Sequence, residues 1–185
     1  MAEQALPKKK MWLTSTRALV MLLMMGVAAS AIQQIAFRLD TLLTGGTGYY
    51  VGHVTIVATS FAAAIFFGPM SFILPVMTAA IGAFTSASPG AWYWIPDSVW
   101  IGILTGWFAF RFNVRDDLVK RTFLLGLFYA ILIVPIDYVG LYMILLKLPI
   151  GAALVASLPY IALTFVGVPL AIGLVRAIEA AKLGI

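Results

Sequence analysis

The chain has 185 residues, of which 63% are hydrophobic and only 10% charged, with a formal net charge of +5 and no cysteine. Ordinary soluble domains are roughly 45–50% apolar and about 25% charged, so this is the composition of an integral membrane protein. The basic residues sit in short connectors rather than along one face, which excludes a nucleic-acid footprint, and without cysteine there is no thiol chemistry, disulfide or cysteine metal site.

Residues 1–16 carry Lys8, Lys9 and Lys10 and are expected to form a basic tail at the anionic cytoplasmic leaflet. The first apolar run, Arg17 to Phe37, has the outline of a secretion signal, with Ala29-Ser30-Ala31 as a cleavage-like pattern. Its apolar character continues beyond that point and further runs follow, so it is expected to remain as a span. The glycine-rich Thr44-Gly45-Gly46-Thr47-Gly48 lacks the Lys-Ser/Thr of a phosphate loop. It reads as a flexible loop over one mouth of the bundle.

Val51 to Gly68 and Pro69 to Thr85 follow, short and joined at Gly68-Pro69, so one of them is expected to be tilted, broken or re-entrant. Trp94 to Phe110, Thr122 to Leu146 and Pro149 to Val175 complete the set. At about 20 residues per spanning helix, the chain is expected to be an all-α, six-transmembrane-helix bundle, with residues 17–185 as one domain and short or kinked second and third spans. A membrane barrel would show alternating segments of about ten residues, and these runs are apolar on every face. Pro75, Pro135 and Pro169 lie inside runs and predict kinks.

Connector charge sets the orientation. Lys8, Lys9, Lys10, Arg17, Arg111, Arg115, Lys120, Arg121, Arg176 and Lys182 fall on one side, and only Arg38 and Lys147 on the other. Both termini are therefore expected in the cytoplasm. The charged connector Arg111 to Arg121 reads as a hydrated turn or as a contact surface for a partner protein. Small residues four apart, among them Gly26/Ser30, Ala79/Ala83 and Gly102/Gly106, allow close helix approach. Most such pairs hold a bundle together, but Gly26, Ser30, Ala79 and Ala83 are also candidates for docking a partner helix.

Asp137 is the informative anomaly, a carboxylate inside the longest apolar run, with no basic residue nearer in sequence than Lys147. An ionisable group at membrane depth costs roughly 2.5–3.5 kcal/mol on insertion scales and marks a functional site. At about 1.5 Å rise per residue it lies roughly 24 Å from Arg121 and roughly 15 Å from Lys147, in the outer half. Tyr50 and His53, with Tyr49 beside them, the segment Trp92, Tyr93, Trp94 and Asp97, and the flanking Tyr138 and Tyr142 reach the same side. The aromatic cluster alone fits an interfacial belt. Combined with two carboxylates on different spans, it predicts an aromatic-walled pocket for a small molecule, with a neutral or cationic nitrogen heterocycle fitting better than an anion. Gln33 and Gln34 read as interhelical hydrogen-bonders, and His53 as a hydrogen-bonding wall residue.

A single histidine and no cysteine are too few ligands for a transition metal, and no cofactor is expected. A proton relay needs titratable groups across the bilayer, and the inner half of the fifth run offers only Tyr129. No Gly-x-Ser-x-Gly or His-Glu-x-x-His motif is present, so an enzyme is not expected.

The basic-led first run from Arg17-Ala18 to Gly26-Val27-Ala28-Ala29-Ser30, the Phe67-Gly68-Pro69 junction with Ile81-Gly82-Ala83 and Ile101-Gly102-Ile103-Leu104-Thr105-Gly106, and the closing Leu145 to Ala153, Val168-Pro169-Leu170 and Arg176-Ala177-Ile178-Glu179 together resemble a substrate-binding S component of the energy-coupling factor (ECF) transporters. That family takes up vitamins and related micronutrients in prokaryotes. The resemblance implies a multi-pass protein of the prokaryotic cell membrane with an external substrate site covered by the loop between the first two spans. It also implies a membrane T component and two cytoplasmic ATPase subunits as partners. Family members often carry an alanine pair on the first span for docking, where this chain has Gly26/Ser30, and the histidine-bearing start of the metal-transporting members is absent, so an organic substrate is implied. The alternative reading is a six-span scaffold protein of a cell-envelope complex, which has no ligand.

Overall fold

The computed structural model of the chain describes residues 16–45, 48–85 and 92–181. The basic tail before Thr16, Gly46 and Thr47 of the glycine-rich loop, and Lys182 lie outside the described residues. Those described are helical, with no strand among them. Their elements are α1 (Thr16–Thr44), α2 (Tyr50–Phe67), a 3-10 turn (Gly68–Phe72), α3 (Ile73–Thr85), α4 (Trp94–Arg111), a second 3-10 turn (Val114–Asp117), α5 (Leu118–Phe128), a π-helical turn (Tyr129–Ile133), α6 (Val134–Leu145) and α7 (Ile150–Ala180).

Four helical stretches are long and apolar enough to cross a membrane: Thr16–Thr44, Tyr50–Thr85, Val114–Leu145 and Ile150–Ala180. The second, of 36 residues, folds back on itself. Gln33 of α1 bonds to Gly52 near the start of α2, which sets α1 antiparallel to α2. Gly26 lies on Met77 while Gln34 lies beside Gly82, which sets α1 parallel to α3. The chain therefore reverses between α2 and α3. Gly68, at φ 56°, begins the reversal in the left-handed region that favours glycine.

The turn is seated on α4. A methyl built on Gly102 would stand 2.5 Å from Phe72 Cα, and one on Gly106 would run into the Gly68 carbonyl. The four-residue glycine spacing thus allows backbone-to-backbone packing of helix on turn, as small residues do in membrane bundles. From Val57 to Phe67 the residues of α2 are buried on all faces, with α1, α4 and α7 packed around it. Gly126 of α5 and Gly167 of α7 let Val168 and Val57 approach in the same way.

Two helices outrun their apolar stretches. α1 continues past Phe37 to Thr44, and α7 past Val175 to Ala180. The extension of α1 carries Asp40 to the start of α2. There its carboxylate accepts from the backbone N–H groups of Tyr50 and Val51 through Oδ1 (3.0 and 2.8 Å) and of Gly52 through Oδ2 (2.8 Å). Three of the four orphan amides of a helix N-terminus are satisfied, and the negative charge sits at the positive end of the helix dipole. The extension of α7 places Glu179 3.0 Å from Arg115, whose guanidinium also lies over Phe66. Arg121 meets Asp116 at 3.3 Å, so the charged connector makes contacts inside the chain.

The prolines act differently from one another. Pro75 lies in the first turn of α3, where a missing N–H is harmless, and it produces no kink there. Pro169 and Pro159 are accommodated in a continuous α7. Pro135, at the start of α6, follows the π turn, in which the Val134 amide bonds to Tyr129 O, five residues back. The expected interruption at Pro135 thus takes the form of a widened turn.

Gly26, Ser30 and Ala83 are buried. Gly26 packs on Met77 and Ser30 donates to the Gly26 carbonyl at 2.7 Å. The faces expected to dock a partner are used inside this chain, because that spacing is what lets α1 and α3 approach; Ala79, half-buried, lines the cavity described below.

Replacing the Asp40 cap is expected to destabilise the fold. Asp40→Ala should lower stability by roughly 1–2 kcal/mol, the upper range for loss of a helix cap, with Asp40→Asn intermediate, measured by thermal unfolding in a fixed detergent. An unchanged midpoint in Asp40→Ala would contradict the capping role.

Candidate functional site

A cavity of about 500 Å³ lies at the end of the bundle formed by the C-terminal part of α1, the N-terminal ends of α2 and α4, and α6. Six of the nine residues expected to bind substrate line it: His53, Trp94, Asp97, Asp137, Tyr138 and Tyr142. The other three stand outside. Trp92 is 55% exposed and meets Phe84 edge-on. The ring of Tyr50, 39% exposed, packs on Tyr160. Tyr93 lies behind the wall, its hydroxyl donating to the Asp137 carbonyl at 3.4 Å.

The aromatic wall is a connected set. Tyr138 and Tyr160 stack with ring centroids 3.7 Å apart, Trp94 meets Tyr138 edge-on at 5.8 Å, and Tyr49 stacks on Trp94 at 6.2 Å. Its polar atoms are fixed by partners. His53, 1% exposed, is held at Nδ1 by the Tyr138 hydroxyl (2.9 Å) and at Nε2 by Thr164 Oγ1 (3.0 Å). Gln33 donates to the Tyr49 hydroxyl and to the Gly52 carbonyl, and accepts from Thr55. It is an interhelical hydrogen-bonder, as its place on α1 suggested.

The two carboxyls are different. Asp97 and Asp137 are 6% and 3% exposed and lie within hydrogen-bonding reach of each other. Asp97 Oδ1 accepts from Trp100 Nε1 at 2.7 Å, one helical turn on. Asp97 Oδ2 and Asp137 Oδ1 are buried with no hydrogen-bond donor, and so is the Ser60 hydroxyl. Among the described residues these are three of the four buried side-chain polar atoms without a partner, the fourth being Thr105 Oγ1, and all three belong to residues that line the cavity. No lysine or arginine lines it. Unpartnered buried polar atoms cost about 1–3 kcal/mol each, and their concentration at one place is the signature of a site completed by something else. Among the described residues no group of three or more histidine or acidic side chains is placed to hold a metal ion.

Two contributors, Tyr160 and Ser60, were not singled out from the sequence, and of the Tyr49-Tyr50 pair only Tyr50 was expected to bind substrate. Tyr49, rather than Tyr50, turns inward, a difference of one position at a helix start. Tyr160, with Thr164 one turn later, forms the α7 side of the site. Their four-residue spacing on an otherwise apolar helix is the signal that marks that face. Ser60 lies two turns along α2 from His53 and shares its side of the helix.

Apolar helices of spanning length around a buried aromatic and acidic cavity define a helical membrane protein with a candidate small-molecule site. The chain matches no family model, no curated protein and no solved structure.

The hydroxyl of Tyr138 is expected to hold the histidine in place. Tyr138→Phe leaves His53 Nδ1 buried without a partner, and should cost about 1–3 kcal/mol, read as a lowered unfolding midpoint; a variant as stable as the parent would show that the bond contributes nothing.

Proposed function

We propose that this chain is the membrane-embedded binding subunit of an uptake system for a small organic micronutrient, a vitamin or heterocyclic precursor, energised by separate ATPase subunits in the manner of an ECF S component. The observation that carries the reading is the gathering of Asp97 Oδ2, Asp137 Oδ1 and the Ser60 hydroxyl, all unpartnered, at one aromatic-walled cavity of about 500 Å³. That volume falls in the range of small-molecule sites, which combine apolar walls with a few convergent polar groups.

In this reading Tyr50–Thr85 crosses the membrane twice, out to in and back, with its reversal at the inner face. α4 crosses once, giving six spans with both termini in the cytoplasm of a prokaryotic cell. The connector charge supports that direction, since Arg111, Arg115, Lys120 and Arg121 cluster at the end of the bundle opposite the cavity. The cavity then opens outward, where substrate arrives. The partners are the T component and two cytoplasmic ATPases. Their docking surface lies on the lipid-facing exterior rather than on Gly26 or Ser30. A scaffold protein of the same size would have no use for a buried carboxyl pair without donors.

A thermal-shift screen of the purified chain against vitamins and heterocyclic precursors should reveal a stabilising ligand. Asp137→Asn and Trp94→Ala should each remove most of that shift while leaving the unliganded protein folded, and the native chain should co-purify with ATPase subunits. A ligand whose stabilisation is unaltered in both variants would show that the cavity is not its site.

A further inference from the structure

The central hydrogen-bonding groups of the cavity wall are committed. Both nitrogens of His53 are engaged by hydroxyls, and the Gln33 amide is engaged on both its oxygen and its nitrogen. Asp97 Oδ2 and Asp137 Oδ1 stand without a donor, and an occupant carrying N–H groups would supply both. The two carboxyls face each other, and no basic side chain lines the cavity to offset them. An occupant carrying positive charge therefore gains an attraction to these acidic groups that an anion or a neutral molecule does not. A bare metal ion is a poor fit, because two carboxyls and the Ser60 hydroxyl fall short of the six to eight oxygens that a hard cation such as calcium collects. The walls narrow the choice further. Tyr138 and Tyr160 stack on each other and Trp94 meets Tyr138 edge-on, so the wall is aromatic, and aromatic faces attract delocalised cations.

We propose that the ligand is a flat organic monocation with two neighbouring N–H donors on one edge, of amidine or amino-heterocycle chemistry, gripped jointly by Asp97 and Asp137. Each carboxyl accepts one charge-assisted hydrogen bond from that edge, while Trp100 holds Asp97 in position from behind. The positive charge is delocalised between the two nitrogens, matching its division between two acceptors on different helices. Binding thereby joins α4 to α6. This deepens the uptake reading and rests on it.

The test is isothermal titration of the full chain in lipid nanodiscs with four probes: benzamidinium; benzamide, its uncharged counterpart; benzoate; and tetramethylammonium, a cation without N–H donors. Benzamidinium should bind at least about tenfold more tightly than benzamide or tetramethylammonium, the scale of one charge-assisted hydrogen bond, and benzoate should not bind. Asp97→Asn and Asp137→Asn should each weaken benzamidinium by about tenfold or more without weakening benzamide, with unfolding midpoints confirming that both variants fold. Benzamide or tetramethylammonium binding as tightly as benzamidinium, benzamidinium failing to bind, or either variant retaining its affinity overturns the proposal. A vitamin or precursor that still gives a shift dependent on Asp137 and Trp94 would then leave the uptake reading standing. Failure of both the probes and that screen overturns the two together.

Discussion

Inside a membrane there is no water to complete a hydrogen bond, so every buried polar group must find its partner within the protein or its ligand. That constraint accounts for the half of this bundle that holds the cavity. Asp40 reaches across from α1 to satisfy the exposed amides of α2. Gln33 ties the same two helices one turn deeper. His53 then ties α2 to α6 and α7 through Tyr138 and Thr164. Each bond spans two elements, so together they fix the relative height of four helices, and with it the positions of the rings that make the cavity wall. The unpartnered carboxyl oxygens stand out against this accounting because the rest of it closes so nearly.

The opposite half is held by shape. Gly102 and Gly106 let α4 lie directly on the Gly68–Phe72 reversal, Gly126 and Gly167 admit valines, and the end away from the cavity closes with Arg115 and Glu179. A closely packed half beneath a polar, cavity-bearing half suits a binding site, since rigid elements hold first-contact residues in place. The π turn before Pro135 belongs to this division. It falls between the glycine-packed α5 and the acidic α6, directly ahead of Asp137 and Tyr138, and π turns of this kind recur at functional sites.

Hydropathy and charge made the helical character and most element boundaries legible in the sequence, including the break at Gly68-Pro69 and the start of α4 at Trp94. They under-read α1 and α7, because apolar content reports the depth of a membrane rather than the length of a helix, and both helices continue into polar surroundings to place Asp40 and Glu179. The site was partly legible for the same physical reason. A carboxylate in an apolar run is conspicuous, so Asp137 and Asp97 could be found, whereas Tyr160 among apolar neighbours looks like any core aromatic. Tyr49 and Tyr50 differ only in which way the first turn of α2 faces, and that is set by Asp40 from another helix. Small-residue spacing marks close packing: Gly26 lies where Met77 of α3 packs, a contact that periodicity cannot distinguish from an intermolecular one.

The central claim is that Asp97 and Asp137 are completed by a bound small molecule. Native mass spectrometry of the chain released gently from its own membranes, compared with the Asp97→Asn/Asp137→Asn double variant, tests it most directly. The account predicts a one-to-one adduct of a small nitrogen-bearing compound on the parent chain and a bare mass for the double variant. The same adduct at the same occupancy on both would contradict it.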